Sequence, residues 1–340
     1  MVVSGWKMNI ERCKVNMILI LTCSNDPSAD FVGEKMTNRG LSYKRLNLDE
    51  VRPKGHLSLY PQSSAGYIND GVTEVDLEEI KVVWQRRIPR RTIKHCDPMI
   101  SEYLTQEWRL LWEWWVNQIP ASNILDSELH LKEASNKLLQ LKRAKEIGLK
   151  TPDTLITSCP EAYKSFLSSH KSVIAKTLGG FGRILEEDKA FGTIYTNRVD
   201  TNSIPDSGSI KTAPIILQEE IEKDFELRVT VVDGIIFPCK IESQKSGKTL
   251  IDWRHYDFKN VPHSKCELPP SIEDMIKTFM NDFGIHFASF DLAVTPNGEY
   301  IFFEMNPNSQ WVWIENLTGM PITDTLTDSL QSRAEVSNVK

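Results

Sequence analysis

Several things are missing from this 340-residue chain, and each absence removes a class of function. Its six cysteines (Cys13, Cys23, Cys96, Cys159, Cys239 and Cys266) form no Cys-x-x-Cys pair and no Cys/His cluster with zinc spacing. Zinc-finger and thioredoxin-type chemistry are therefore excluded, and reduced, mostly buried thiols are expected. No apolar run approaches the length of a membrane span. The short apolar stretch Met17–Cys23 runs into Ser24-Asn25-Asp26-Pro27 and reads as a first buried strand, with no secretory pattern before it. The net charge of −6 is mild, so nothing argues for wrapping nucleic acid. The expected setting is the cytoplasm, with neither membrane nor nucleic acid as partner. A P-loop is absent because no GxxxxGK[ST] order occurs, and there is no internal repeat or low-complexity tract.

What is present is the composition of an ordinary globular protein, long enough for two or three domains with substantial cores. Residues 1–16 lack periodicity and are expected to be a disordered extension. Met17–Thr22 reads as a strand, Ala29–Asn38 as a helix and Tyr43–Leu48 as a second strand, the pattern of a small parallel α/β unit. Val82–Arg91 closes that unit with a strand end and a basic turn. In the helix expected over Ser101–Val116, Trp108, Trp112 and Trp115 recur at helical spacing and read as core. A further helix is expected over Ser135–Ile147, ended by Gly148, with a turn leading into the strand Leu155–Thr157. The polar stretch Asp200–Ala213 reads as a linker or domain edge. The division expected is 17–118, 119–213 and 214–330, and the fold class α/β (α+β).

The most informative stretch is Phe290–Asn308, FDLAVTPNGEYIFFEMNPN. It reads as two short strands turning at Asn297-Gly298. Asp291 sits near the start of the first strand, while Glu304 and Asn306, two apart on the second, share a face. Hard oxygen donors on paired strands beside apolar neighbours suit Mg²⁺, which takes one or two carboxylates and leaves other positions to water and phosphates. An amphipathic hairpin with an acidic outer face is the alternative. Against it, a Glu inside the apolar run Ile301–Met305 is costly to bury without a cation or partner. Upstream, Ser172–Lys176 is a buried strand ending in Lys176 and followed by Gly179, Gly180 and Gly182. A lysine at a strand end beside flexible backbone N–H groups can hold phosphates, although Gly-rich hairpins after strands are also common.

Together these segments resemble the ATP-grasp superfamily, in which an Asp on one strand and a Glu-x-Asn on the next hold magnesium against ATP. The resemblance implies an N-terminal α/β pre-grasp domain, a central α+β domain and a C-terminal β-rich domain carrying the metal site. It implies ATP and Mg²⁺ as cofactors, with Asp291, Glu304 and Asn306 as metal ligands. Lys137 and Lys176 then approach the phosphates, with Gly179 and Gly180 in the covering loop. Gln218, Glu219, Glu220 and Ile221 become the hinge that reads adenine and ribose, with either glutamate open as the ribose ligand. Arg228 matches the arginine that meets the transferring phosphoryl group, a task suited to a planar, permanently charged fork. Lys240, on the strand expected to pair with that of Arg228, is a further catalytic candidate or a surface charge.

Three further segments narrow the resemblance: Val83-Trp84-Gln85-Arg86-Arg87-Ile88-Pro89, Ile251-Asp252-Trp253-Arg254, and the run from Asn306 to Ile322. They are similar to the microviridin-type (graspetide) peptide maturases, over roughly Met17–Ile322. Gln85 beside Trp84 departs from that pattern, and residues 182–213 match nothing in it. The resemblance implies an ATP-grasp ligase that links Glu/Asp carboxylates to Thr/Ser hydroxyls, or to a Lys amine, of a ribosomally made precursor peptide with a leader and an acidic, Thr-rich core. Asp252, Trp253, Arg254 and Lys248, within a leader-binding or gating element at 243–258, and Arg86 and Arg87 are the expected substrate residues. A solvated hairpin is the alternative for the first group, and internal ion pairing for the two arginines. A homodimer is an expected state. Two other readings are a RimK-like ligase that adds an amino acid to a carboxylate and a degenerate ATP-grasp module that only binds nucleotide.

Overall fold

The computed structural model describes residues 17–62, 65–87, 93–117, 119, 123–178, 182–186, 189–193, 196–200 and 205–336, with the side chains of 116–117, 182–186 and 189–193 set aside. The expected extension 1–16 and the glycines Gly179 and Gly180 lie outside these residues. The chain divides into two compact units, one reaching Glu128 and resuming at Thr323, the other Leu129–Ile322. Among the described residues no helix is long and apolar enough to cross a membrane.

In the first unit, β1 (Met17–Thr22), α1 (Pro27–Asn38) and β2 (Tyr43–Asn47) form the expected parallel unit, followed by α2 (Leu48–Lys54). Pro27 starts α1 two residues earlier than periodicity suggests, because a missing N–H costs nothing in a first helical turn. An antiparallel meander of β3 (His56–Tyr60), β4 (Ala65–Asn69) and β5 (Glu74–Asp76) follows, a small sheet that the sequence reading did not anticipate. β6 (Ile80–Gln85) then pairs in parallel with β1, giving the order β2-β1-β6. All six residues of β1 are buried, as its unbroken apolar run requires. On α3 (Pro98–Asn117), Trp112 and Trp115 are buried against Leu19, Leu21 and Val83, and Trp108 packs beside them.

The second unit opens with α4 (Glu128–Ala134) and α5 (Lys137–Glu146). One helix over Ser135–Ile147 was expected. It is interrupted at Asn136, whose side-chain oxygen accepts from the N–H groups of Leu138 (3.1 Å) and Leu139 (3.2 Å) and so starts α5. Gly148 ends α5 with φ +90°. β7 (Thr154–Thr157), α6 (Pro160–Ser169), β8 (Val173–Lys176), the hairpin β9 (Gly182–Glu186)–β10 (Lys189–Thr193), and β11 (Asn197–Arg198) come next. The stretch expected as linker contains a short helix, α7 (Ser207–Thr212), capped by Asp206 and anchored by buried Ile210. β12 (Ile215–Glu219) completes an antiparallel sheet in the order β11-β8-β12-β7.

β13 (Phe225–Val232), β14 (Ile235–Ile241), β15 (His263–Lys265), α8 (Pro270–Asp282), β16 (Phe287–Val294), β17 (Tyr300–Pro307) and α9 (Val312–Thr318) follow. The strands form one antiparallel sheet, β15-β14-β13-β16-β17. Its one face carries Leu227, Val229, Phe290, Leu292 and Phe302 onto α8 residues Ile276 and Phe279, making the main core. Between β16 and β17 the chain turns at Gly298, φ +79°, whose N–H donates to the Thr295 carbonyl at 2.8 Å. The register shifts once: Leu292 pairs with Phe302 but Asp291 pairs with Glu304. Strict alternation would put Phe302 and Glu304 on one face. The extra residue, Phe303, keeps Phe302 in the core and turns Glu304 to the other face.

Candidate functional site

The face opposite that core concentrates charge. Arg228 and Asp291 are cross-strand partners on β13 and β16, both buried, and Arg228 Nη1 donates to both carboxylate oxygens at 2.8 Å. Asn306 Nδ2 donates to Asp291 Oδ2 at 3.0 Å and to Glu304 Oε1 at 3.3 Å, spanning the two acids. Lys137 Nζ lies 3.1 Å from Glu304 Oε2. Burial alone would push the Glu304 carboxyl up. The charges of Lys137, Lys176 and Arg254 instead hold it down at about 2, well ionised. At Asp291 burial pushes upward against the pull of Arg228. Burial is also the main reason the Lys176 ammonium is lowered to about 8, with Glu304 opposing and Lys137 adding to the shift. Lys176 Nζ donates to Gln218 Oε1 at 2.7 Å and sits 5.1 Å from the centre of the Phe303 ring. Gln218 is buried and in turn donates to Thr154 Oγ1 at 2.9 Å.

Two groups that hold this arrangement were not singled out from the sequence. Buried Gln140, one turn after Lys137 on α5, donates to the Met305 carbonyl at 2.8 Å and accepts from the Met305 N–H at 2.9 Å. It thereby clamps β17 between Glu304 and Asn306 to the helix that carries Lys137. A Gln in an amphipathic helix gives no hint of such a partner 165 residues away. Glu226, on the face of Arg228 two residues earlier, is buried and ion-paired with half-buried Lys223, and it accepts from Ser243 Oγ at 3.2 Å. Lys223 Nζ also donates to the Ile251 carbonyl at 3.1 Å, tying the segment after β12 to the segment before Asp252.

The remaining candidates are distributed differently. Asp252 is buried and holds Arg254 in a two-pronged pair, Nε to Oδ1 at 2.8 Å and Nη2 to Oδ2 at 2.6 Å. The hydrogen bond and charge of Asp252 raise the Arg254 guanidinium further, and Glu304 and Asp291 contribute. Trp253 is buried, its ring tilted against that of Trp313 with centres 5.2 Å apart and 5.8 Å from the Arg228 guanidinium. The segment 243–258 is thus anchored, with Ser243 and Thr249 buried as well, and is not the freely solvated hairpin given as its alternative. Lys248 is exposed.

Glu219 is half-buried beside Asp153 and His170, and Glu220 accepts a two-pronged pair from Arg198 at 2.7 and 2.6 Å. Ile221 follows them, half-buried. Lys240 is not brought to the cluster. It is paired in register with Leu227, one residue off Arg228, so it points to the opposite side of the sheet, 4.3 Å from the Phe225 ring and 3.5 Å from Glu242. Arg86 is not at a surface either. Its side chain is fully buried in the first unit, Nε 3.7 Å from Asp26 Oδ2 and Nη2 3.5 Å from Ser28 Oγ. Burial, only partly offset by Asp26, lowers it to about 10. Arg87 next to it is half-buried. Gly179 and Gly180 lie outside the described residues.

Three cations, Lys137, Lys176 and Arg228, thus face two carboxylates within one half-buried patch, a surplus of positive charge suited to phosphates. A profile of the MvdD pre-ATP grasp domain matches residues 17–131. A RiPP-associated ATP-grasp ligase of Chryseobacterium gregarium, solved in complex with ADP and a leader and core peptide, superposes with a TM-score of 0.84 at 30% identity, over 94% of this chain and 97% of that one. The chain belongs to the RiPP-associated ATP-grasp ligases. Such a ligase is an ATP-dependent enzyme, and the ATP-grasp fold expected from the sequence is the one found. The macrocyclase MdnC of Microcystis aeruginosa MRC, solved bound with precursor peptide MdnA, is similar at 27% identity and TM-score 0.81, over 93% of this chain and 99% of that one. The macrocyclase MdnB of the same organism is similar at 29% identity and TM-score 0.77, over 92% and 98%. No curated protein sequence matches the chain.

Proposed function

We propose that this ligase cross-links a ribosomally made precursor peptide, joining Glu or Asp side chains of its core to Thr or Ser hydroxyls, or to a Lys amine. The observation that carries the reading is the convergence of Arg228, Lys137 and Lys176 on the Asp291–Asn306–Glu304 patch. The donor set fits Mg²⁺: one carboxylate from each of two paired strands and an adjoining side-chain amide, all hard. Asp291, Glu304 and Asn306 would hold that ion, which when bound offsets negative charge on the ATP phosphates.

ATP is the second substrate. Lys137 and Lys176 bind its phosphates, and Gln218 fixes the Lys176 ammonium while Gln140 fixes the strand between the acids. Residues 218–221 serve as the adenine and ribose hinge, and the covering loop includes Gly179 and Gly180. A peptide carboxylate oxygen attacks the γ-phosphorus and ADP leaves, so the carboxylate carries the phosphoryl group. A hydroxyl or amine then attacks that carbonyl, loses its proton, and phosphate departs with the former carboxylate oxygen. Arg228 stabilises charge on the phosphoryl group in transfer, a preorganised contribution that its bond to Asp291 holds in place. Lys240 and Arg86 are left out of this set. Asp252, Trp253 and Arg254 border the patch and are assigned to the peptide, with Lys248 and Arg87 as outer contacts. We also place the enzyme in the cytoplasm and keep the division 17–118, 119–213 and 214–330 for its pre-grasp, central and C-terminal parts.

Mass spectrometry of a precursor from a neighbouring reading frame, incubated with enzyme, ATP and Mg²⁺, tests the proposal. Loss of one water per cross-link supports it. A gain equal to an amino-acid residue would favour a RimK-like ligase, and an unchanged peptide despite ATP turnover would sink the cross-linking reading.

A further inference from the structure

The α6 side of the sheet β11-β8-β12-β7 carries a cluster of ligating groups. His170 follows α6, Asp153 precedes β7 and Glu219 ends β12, so three elements each send one side chain to the same spot. Their ligating atoms, one imidazole nitrogen and two carboxylate oxygens, all lie within 4.8 Å of one another. Strand alternation sets Glu219 on the face of Leu217, which packs with the α6 residues Tyr163 and Leu167. Gln218, bonded to Lys176, takes the other face. As part of the hinge, Glu219 then has only its backbone to offer, and its side chain is left for another task.

The tautomer of His170 is fixed from outside the cluster. Its Nδ1 lies 2.9 Å from the Phe166 carbonyl oxygen, which can only accept, so Nδ1 carries the proton. The ring also packs on that of Phe166, with centres 4.2 Å apart. Nε2 is thereby turned to Asp153 Oδ2 at 3.1 Å, and a lone pair cannot face a carboxylate there without positive charge between them. A backbone-bonded Nδ1 with Nε2 directed at carboxylates is the arrangement that orients a metal-bound histidine. Two ligands of one tetrahedral zinc ion stand about 3.3 Å apart, close to the separation found here. Glu219 is held alongside, its Oε2 accepting from the Asp153 N–H at 3.2 Å.

A proton on Nε2 is the simpler filling, but it leaves the group short, with one imidazolium against two carboxylates. Among the described residues no lysine or arginine forms an ion pair with either acid. A divalent cation on a neutral imidazole balances both. We propose that Asp153, His170 and Glu219 form a binding site for a divalent transition-metal ion of the Zn²⁺ class, separate from the Mg²⁺ donors Asp291, Glu304 and Asn306. The imidazole selects for such a metal over Mg²⁺, which prefers oxygen alone. A fourth position is left to water. The bound ion ties the start of β7 and the end of α6 to the end of β12, and it does so whatever the substrate of the reaction.

Zn²⁺ alone is the probe. The intact protein, without an affinity tag and with the exposed Cys96 and Cys159 replaced by Ser, is kept in Mg²⁺ and ADP and titrated with Zn²⁺. The melting temperature should rise, and spectra of isotope-labelled imidazoles should place the metal on Nε2 of His170. Calorimetry should show that His170→Gln removes one equivalent of bound Zn²⁺. Asp153→Asn, a change at a side chain 71% exposed and so tolerant of exchange, should weaken that equivalent by about tenfold or more. Parent and His170→Gln proteins that bind Zn²⁺ alike would overturn the inference. So would an Nε2 that stays protonated at saturating Zn²⁺, the signature of a plain His170–Asp153 ion pair.

Discussion

Two arginines, each buried near an aspartate, occupy the two units of this protein, and only one is assigned to the proposed site. Arg86 directly follows the strand β6 and faces Asp26 at 3.7 Å, with Ser28 beside it. Arg228 sits mid-strand and grips Asp291 with two bonds of 2.8 Å, while Asn306, Glu304, Lys137 and Lys176 crowd the same patch. Burial is alike; company is not. Around Arg86, Asp26 only partly offsets burial and the neighbouring Arg87 adds to it, so the arginine is lowered. Around Arg228 the charges outnumber what folding needs and hold Glu304 ionised down to about 2. A surplus of ordered charge is costly to assemble unless something else uses it, and that surplus, not burial, separates a working arginine from a structural one.

The largest effect is expected at the centre of the surplus. Glu304→Ala should lower ATP turnover by about three orders of magnitude with the fold retained, because it removes both a hard ligand and the partner of Lys137. Turnover near the parent rate in a folded variant would remove Glu304 from the site. Arg228→Ala should cost about 10²–10³-fold in kcat while ATP affinity falls far less. Equal losses in both would make Arg228 a structural residue like Arg86.

A smaller effect concerns pH. Lys176, lowered to about 8 by burial, is an ammonium below that pH, and ATP phosphates favour the charged form. ATP affinity should therefore weaken as pH rises through about 8, by up to tenfold per unit. Lys176→Arg, whose guanidinium does not titrate there, should flatten that limb, and a limb unchanged in the variant would assign it to another group. The smallest effect on catalysis is expected at Arg86. Arg86→Met should leave turnover per folded molecule unchanged while lowering stability by about 3 kcal/mol, through the carboxylate left buried at Asp26. A marked loss of turnover without loss of stability would erase the contrast between the two arginines.

The sequence made the Asp291, Glu304 and Asn306 group legible because two strands joined by an Asn-Gly turn leave few registers. It could not show the bulge at Phe303, since an inserted residue changes which side chains share a face without leaving a mark in composition. The basic type of Lys240 was visible too, but not its register opposite Leu227, which sets its face of the sheet. The meander β3–β5 and the Gln140 clamp depend on contacts that local periodicity does not encode. Trp112 and Trp115, read as core from their spacing, are core.

The central claim is that this patch activates a peptide carboxylate, and an isotope experiment addresses it most directly. A precursor peptide whose acidic side chains carry a heavy oxygen label is incubated with the enzyme, ATP and Mg²⁺, and the released phosphate is weighed. Phosphate carrying one labelled oxygen for each cross-link formed is the expected result, because the attacking carboxylate oxygen leaves with the phosphoryl group. Unlabelled phosphate released alongside a modified peptide would show that water, and not the peptide carboxylate, receives the phosphoryl group, and would contradict the account.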